Sequence, residues 1–257
     1  MTRITLWKTL VVTLLCMVGG GKSDLADTEI IVSAAASLTN AMTEVGKVFE
    51  QEYPDVNIVF NFASSGSLLQ QMAHGAPVDV FASANQKFMD DAADKGLILA
   101  ETRRDFVRNT LVLAVPMDSA KVINGMADLR SDQILWIAIG NPQSVPAGRY
   151  AREALQRYHL WKILTDKFVY ANSVRQVLDY LRRGEVDAGL LYATDAMIGG
   201  KAVKVVAKVE KHQAIIYPIA VAQSTRNFKA ATRFVEFVVS VRGQGILSGF
   251  GFTPFTQ

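Results

Sequence analysis

Apolar runs alternate with helix-period stretches along almost the entire chain. TEIIVSA (28–34) predicts a buried strand, and Leu38, Ala41, Met42, Val45, Val48 and Phe49 then recur at helical spacing. VNIVFNFA (56–63) predicts a second strand. Leu68, Leu69 and Met72 mark a short helix that stops near Gly75 and Pro77; DVFAS (79–83) is a third strand, and 85–95 a helix ended by Gly96. This β-α-β-α-β-α rhythm implies parallel strands joined by right-handed crossovers.

NTLVLAVP (109–116) predicts a long strand followed by an irregular stretch, and ILWIAIG (134–140) opens a second alternating set. Helices are expected at 147–158, with Tyr150, Ala151, Ala154, Leu155 and Tyr158 on one face, and at 173–183, with Val174, Val177, Leu178 and Leu181. Strands AGLLYA (188–193), VKVVAKV (203–209) and AIIYPIAVA (214–222) follow, then a helix over 227–241 and the tail GFGFTPF. No Pro/Gly/Ser-rich linker divides the chain. The long strands 109–116 and 214–222 lie where one set gives way to the other. That fits two α/β lobes with two crossovers, the first lobe built from both ends of the chain; a single doubly wound α/β domain fits equally well. In either, a ligand sits beyond the carboxyl ends of the strands.

The N-terminus has a different character. Arg3 and Lys8 precede TLVVTLLCMVGG (9–20), an apolar core of roughly a dozen residues, the pattern of a secretory signal and short of a membrane span. A signal peptide is therefore expected over 1–26. The only cysteine, Cys16, lies inside it, so the mature chain has no thiol. Thr13, Leu14 and Leu15 lack the small residue that precedes a lipid-attachment cysteine, which argues against anchoring at Cys16.

Of the 257 residues, 50% are hydrophobic, enough for substantial cores and too many for a disordered chain. The 27 Lys+Arg against 24 Asp+Glu include Arg3, Lys8, Lys22 and Asp24 of the leader; the remainder carries 24 basic and 23 acidic residues. A nucleic-acid groove needs clustered positive charge, and no such run occurs.

Candidate chemistry narrows by the same reading. His74, His159 and His212 are scattered without ligand spacing, so no metal site is expected. DDAAD (90–94) reads as a solvated helix face. No G-x-S-x-G elbow and no phosphate-binding glycine loop occurs, and the serines of SSGS (64–67) have no nearby base. The chain is accordingly not expected to be an enzyme, with a secreted serine hydrolase using Ser37 or Ser65 as the remaining catalytic alternative.

What remains is a set of strand-to-helix junctions rich in small and hydroxyl residues: AAAS to Ser37, Ser64-Ser65-Gly66-Ser67, Pro146-Ala147-Gly148, and Asn172-Ser173-Val174. First-turn N–H groups have no intrahelical partner and carry partial positive charge. Several facing one crevice form an anion site without Lys or Arg. The alternative reading takes Ser37, Ser65 and Ser173 as helix N-caps, Ala147 and Val174 as first-turn residues, and Tyr192 as a core tyrosine.

AAASLTNAM (34–42), FASSGSL (62–68), GAPVDVFASANQKFMD (75–90), NTLVLAVP, IAIGNPQSVPAGRYAREAL (137–155), GLLYATDA (189–196) and GFGFT (249–253), in this order, resemble the periplasmic molybdate-binding proteins, the solute receptors of molybdate ABC importers. The resemblance spans about residues 28–257. It implies a type II periplasmic-binding-protein fold, with two lobes, each a central mixed sheet flanked by helices, and two crossover strands. The expected division is 27–108 plus 216–257 for the first lobe and 109–215 for the second.

The resemblance also implies molybdate or tungstate as ligand, with no cofactor. The family's ligand positions match Ser37 and Ser65 (hydroxyl and backbone N–H), Ala147 and Val174 (backbone N–H), and Tyr192 (phenol O–H). The implied protein is a periplasmic monomer that delivers its ligand to an inner-membrane permease. Sulfate or another small anion in the same fold is the nearest alternative. Gly66 stands where some relatives carry a third serine and is expected to loosen that turn. Arg175, beside Val174, either contacts the anion or braces the lobes.

Overall fold

The computed structural model describes residues 28–255. The expected leader and Cys16 lie outside them. Two sheets organise the chain. The first contains β1 (Thr28–Ala35), β2 (Val56–Ala63), β3 (Val80–Ala82), β4 (Arg104–Asn109), β10 (Ile215–Val221) and β11 (Thr253–Pro254), in the order β11-β4-β10-β3-β1-β2. The second contains β5 (Leu111–Pro116), β6 (Ile137–Gly140), β7 (Phe168–Ala171), β8 (Ala188–Tyr192) and β9 (Val203–Lys208), in the order β7-β6-β8-β5-β9. β1 runs parallel to β2 and β3, and β6 parallel to β7 and β8, while β10 and β5 are antiparallel to their neighbours. Both sheets are mixed. The chain passes between them twice, from β4 to β5 and from β9 to β10, so the two-lobed architecture holds over the single doubly wound domain.

Both chain ends build the first lobe because their helices share a core. Ala41, Met42, Val45 and Phe49 form the buried stripe of α1 (Thr39–Glu52). The Phe49 ring meets Phe234 at 5.2 Å and Phe237 at 5.4 Å, both edge-on, on α7 (Phe228–Val239). Such aromatic pairs are worth about 0.5–1.5 kcal/mol beyond their buried area. The other helices of this lobe are α2 (Ser65–Ala73), α3 (Gln86–Asp94) and α8 (Val241–Gly249); the second lobe has α4 (Pro146–Arg157), α5 (Val174–Arg182) and α6 (Ala193–Gly199).

Several elements depart from the sequence reading. Asn109 ends β4 and Leu111 starts β5 in the other sheet, so the expected strand 109–116 is a crossover. The Asn109 side-chain oxygen accepts from the Thr110 N–H at 2.8 Å at the break. β4 went unpredicted because only Phe106 and Val107 of RDFVRN are buried. Residues 134–136 fall outside β6. There Asp187, paired with Lys121, accepts from Leu135 N at 2.6 Å and Trp136 N at 3.0 Å. β7, α6 and α8 are short or glycine-rich and carry no clear period. Among the described residues, no helix is long and apolar enough to cross a membrane, and no cluster of three or more His, Cys, Asp or Glu could hold a metal ion.

Candidate functional site

The parallel strands β1, β2, β6, β7 and β8 end in the segments that carry the five candidate residues. Ser37 lies in a tight turn between β1 and α1, and Ser65 opens α2 after β2. Ala147 is in the first turn of α4 after β6, Val174 opens α5 after β7, and Tyr192 is the last residue of β8. All five are buried. Local packing explains the small residues. Pro146 occupies the first helical position of α4, where its missing N–H has no intrahelical use. A Cβ on Gly148 would stand 1.9 Å from the Gly140 carbonyl oxygen, so only glycine lets α4 start directly on β6.

The capping alternative separates the serines. Ser173 caps α5, accepting from Gln176 N at 3.2 Å, and Ser64, not Ser65, caps α2, accepting from Ser67 N at 3.3 Å. Ser65 Oγ instead accepts from Ala84 N at 3.0 Å. Ser37 Oγ lies 3.0 Å from the Tyr217 hydroxyl, and the Asn109 amide donates to that same phenol oxygen at 3.2 Å. Either hydroxyl can donate in the Ser37–Tyr217 bond. Ser65 thus accepts on one side and keeps its own proton to donate on the other. The Asn109 amide also donates to Thr194 Oγ1 at 2.9 Å, tying the β4 end to α6.

Tyr192 lies in the core, as the alternative reading expects, but its hydroxyl lacks the partner that reading assumes. Its ring packs 5.9 Å from the Tyr217 ring, and its hydroxyl is buried without a hydrogen bond of good geometry. Burial raises both phenols well above their ordinary pKa, so both remain O–H donors throughout the physiological range.

Contacts between the lobes approach the candidates from two sides. Gly66 N donates to Ser144 O at 2.9 Å, and a Cβ on Gly66 would lie 2.6 Å from that oxygen and 2.7 Å from Ser144 Cα. Gly66 therefore belongs to the first turn of α2 and allows a backbone-to-backbone approach, rather than loosening a loop. On the other side, Arg175 of α5 donates to Asn40 Oδ1 at 2.7 Å and to Ser37 O at 3.3 Å across the cleft. Its Nε lies 2.6 Å from Asp195 Oδ1, though the N–H is not aimed along that line. Asp195 is fully buried, and that burial raises its carboxyl to about 7 against the lowering pull of Arg175.

Ser37, Val174 and Tyr192 are therefore linked through Tyr217 and Arg175, while Ser65 and Ala147 flank the Gly66–Ser144 contact. Among the described residues, none of the five side chains hydrogen-bonds another. Sequence reading missed Tyr217, Asn109, Thr194, Asp195, Asn40 and Ser144. Asn109 opening NTLVLAVP and the TDA after GLLY were the available signals; Tyr217, inside an apolar strand, offered none.

Replacing Tyr217 by Phe should weaken binding of a small anion by about 1 kcal/mol, the net worth of one neutral hydrogen bond. Little global destabilisation is expected, because Asn109 keeps Thr194 as its acceptor. Calorimetric titration beside a thermal melt checks both.

Two α/β lobes joined by two crossovers, with strand ends facing across the cleft, define the class of solute-binding receptors that close on a small ligand. The family model for bacterial extracellular solute-binding proteins matches residues 30–253, and the chain belongs to that family. The chain is 34% identical over 248 residues to the molybdate-binding protein ModA of Haemophilus influenzae, covering 94% of this chain and 96% of that one. It is 38% identical over 236 residues to ModA of Escherichia coli, covering 88% and 89% respectively. The periplasmic molybdate-binding protein of Azotobacter vinelandii has the same fold, with a TM-score of 0.79 over 89% of this chain and all of that one, at 23% identity.

Proposed function

We propose that this chain is the receptor of an ABC importer, trapping molybdate or tungstate between its lobes and delivering it to a membrane permease. The observation that carries the reading is the unpartnered, buried hydroxyl of Tyr192 at the end of β8, whose ring packs against that of Tyr217, the partner of Ser37. Ser65, held as an acceptor by the Ala84 N–H, and Ser37, bonded to Tyr217, supply hydroxyl donors to the ion. The first-turn N–H groups at Ala147 and Val174, together with those of Ser37 and Ser65, complete a set of neutral donors. Each hydrogen bond to a charged oxyanion is worth about 1.5–3 kcal/mol net. Pre-aimed dipoles need no reorganisation on binding, so together they offset dehydration of the ion. The names of the relatives support the choice of ligand.

The engagement of Arg175 by protein groups supports selectivity. Two nitrogens of the Arg175 head group donate to Asn40 and the Ser37 carbonyl, and the third lies beside the buried Asp195. Neutral donors in a cleft of set width select by radius, so molybdate and tungstate exceed sulfate, and a protonated phosphate leaves a donor facing a proton. Among the described residues, no hydrogen bond joins Ser37 or Ser65 to a histidine or carboxylate base, which weighs against the hydrolase alternative. Ser37 is bonded to Tyr217 and Ser65 to a backbone N–H, while His74 and His212 bond backbone carbonyls elsewhere.

The lobes divide at about 27–108 plus 216–257 and 109–215, with Asn109 and Ile215 at the crossovers belonging to the first sheet; the leader over 1–26 directs export to the periplasm, and the mature receptor acts as an unanchored monomer. Isothermal titration of ligand-stripped protein tests the reading. Saturable heat with molybdate and tungstate, and far weaker heat with sulfate and phosphate, is expected. Saturable heat with sulfate or phosphate and none with molybdate or tungstate overturns it.

A further inference from the structure

Asn40 and Arg175 belong to different lobes. Asn40 is exposed in the first turn of α1, immediately after the Ser37 turn; Arg175 is the second residue of α5, immediately after Val174. Their hydrogen bond, 2.7 Å from Nη1 to Oδ1, forms only while the lobes are together. The arginine does not swing freely between lobes. Its Nε is held 2.6 Å from Asp195, which is fully buried at the start of α6 in the same lobe as Arg175. The head group is thus pre-aimed at the first lobe, where Nη2 also reaches the Ser37 carbonyl at 3.3 Å. Neither Asn40 nor the Ser37 carbonyl is among the donors assigned to the anion. A charge-assisted bond between pre-positioned partners is roughly twice as strong as a neutral one.

We infer that Asn40 and Arg175 form a latch that holds the cleft shut over the bound anion and sets how slowly the anion leaves. This rests on the receptor reading above and adds to it a positioning residue, Asn40, that touches no ligand. Encounter takes place with the lobes apart, before the latch exists. Release requires the latch to break. The effect therefore falls on the off-rate and leaves the on-rate unchanged, which distinguishes a latch from a residue that attracts or contacts the anion.

The test uses Asn40→Ala and Asn40→Asp in the full mature chain, with molybdate as the probe. Trp136 and Trp161, both in the second lobe, serve as stopped-flow fluorescence reporters, and calorimetry gives the equilibrium constant. Asn40→Ala should release molybdate about tenfold faster, the size expected for losing one charge-assisted hydrogen bond, with an unchanged on-rate. Asn40→Asp restores an acceptor for Arg175 and should return the off-rate to the wild-type value or below.

Unchanged release in Asn40→Ala overturns the latch. So does a loss confined to the on-rate, or failure of Asn40→Asp to restore slow release. If the wild-type chain binds none of the oxyanions, the receptor reading fails and the latch with it. If the wild type binds and Asn40→Ala releases at the same rate, the latch alone fails.

Discussion

Arg175→Leu is expected to lower the melting temperature of the anion-free protein by a margin that widens above pH 7. The reason is the state of Asp195. Its carboxyl is raised from 3.8 to about 7 by burial, with Arg175 pulling it back down. Below 3.8 the folded and unfolded chains both hold the proton. Between 3.8 and about 7 the folded chain keeps a proton that the unfolded chain has released, so stability falls as pH rises. Above that the wild type is level, because both states are ionised.

Removing Arg175 moves the folded pKa higher, so the fall continues by about 1.4 kcal/mol per further pH unit. Below pH 7 the variant loses only the bonds to Asn40 and Ser37, about 1–3 kcal/mol in all. For a chain of this size each kcal/mol shifts the melting temperature by roughly 2–4 °C. Melts from about pH 5 to about pH 8.5 should therefore show a deficit that grows at the alkaline end. A deficit of constant size would mean that Asp195 does not depend on Arg175 to carry its charge.

Tyr192→Phe should separate binding from stability, moving them in opposite directions. The side chain is 1% exposed and its hydroxyl has no good hydrogen-bond partner in the protein. An unsatisfied buried polar group costs about 1–3 kcal/mol, so deleting it leaves the anion-free protein as stable as before or more so. The same deletion removes a donor to the oxyanion and weakens binding by about 1.5–3 kcal/mol, roughly 10–150-fold. A purely structural tyrosine behaves otherwise, with both quantities falling together. Thermal melting without anion and calorimetry with molybdate decide between them. Parallel losses would remove Tyr192 from the proposed site and leave Ser37, Ser65 and the helix-start N–H groups to hold the ion.

The proposed site separates charge from recognition. An arginine stands next to Val174, where it could neutralise any anion indiscriminately. Asp195 holds it from behind, and its remaining donors turn to Asn40 and the Ser37 carbonyl. The cationic side chain thus bridges the lobes, and in the proposed site recognition falls to uncharged groups at strand ends. Gly66 contributes on the opposite side of the cleft by letting two backbones meet at 2.9 Å.

Much of this fold was legible in the order of residues. The strands at β1, β2 and β10 and the helices α1, α4, α5 and α7 follow from apolar runs and helical stripes, because burial of one face imposes a period on the chain. The four junctions stood out because small and hydroxyl residues at strand-to-helix turns leave backbone donors open. The resemblance assigned ligand roles to Ser37, Ser65, Ala147, Val174 and Tyr192. Where the period was weak, so was the reading: β4 has two buried apolar residues, and α8 is interrupted by glycines.

Tertiary structure alone decided the partners. Periodicity reports which side of an element is buried, never against what, so it left one domain and two lobes equally open; the sheet order settled that. Ser64 rather than Ser65 became the cap of α2, freeing Ser65 to turn toward Ala84. Tyr217 met Ser37 from 180 positions away, and Arg175 met Asn40 from 135. Contacts at such separations arise from how two independently folded faces are brought together, and no local pattern in the chain encodes that placement.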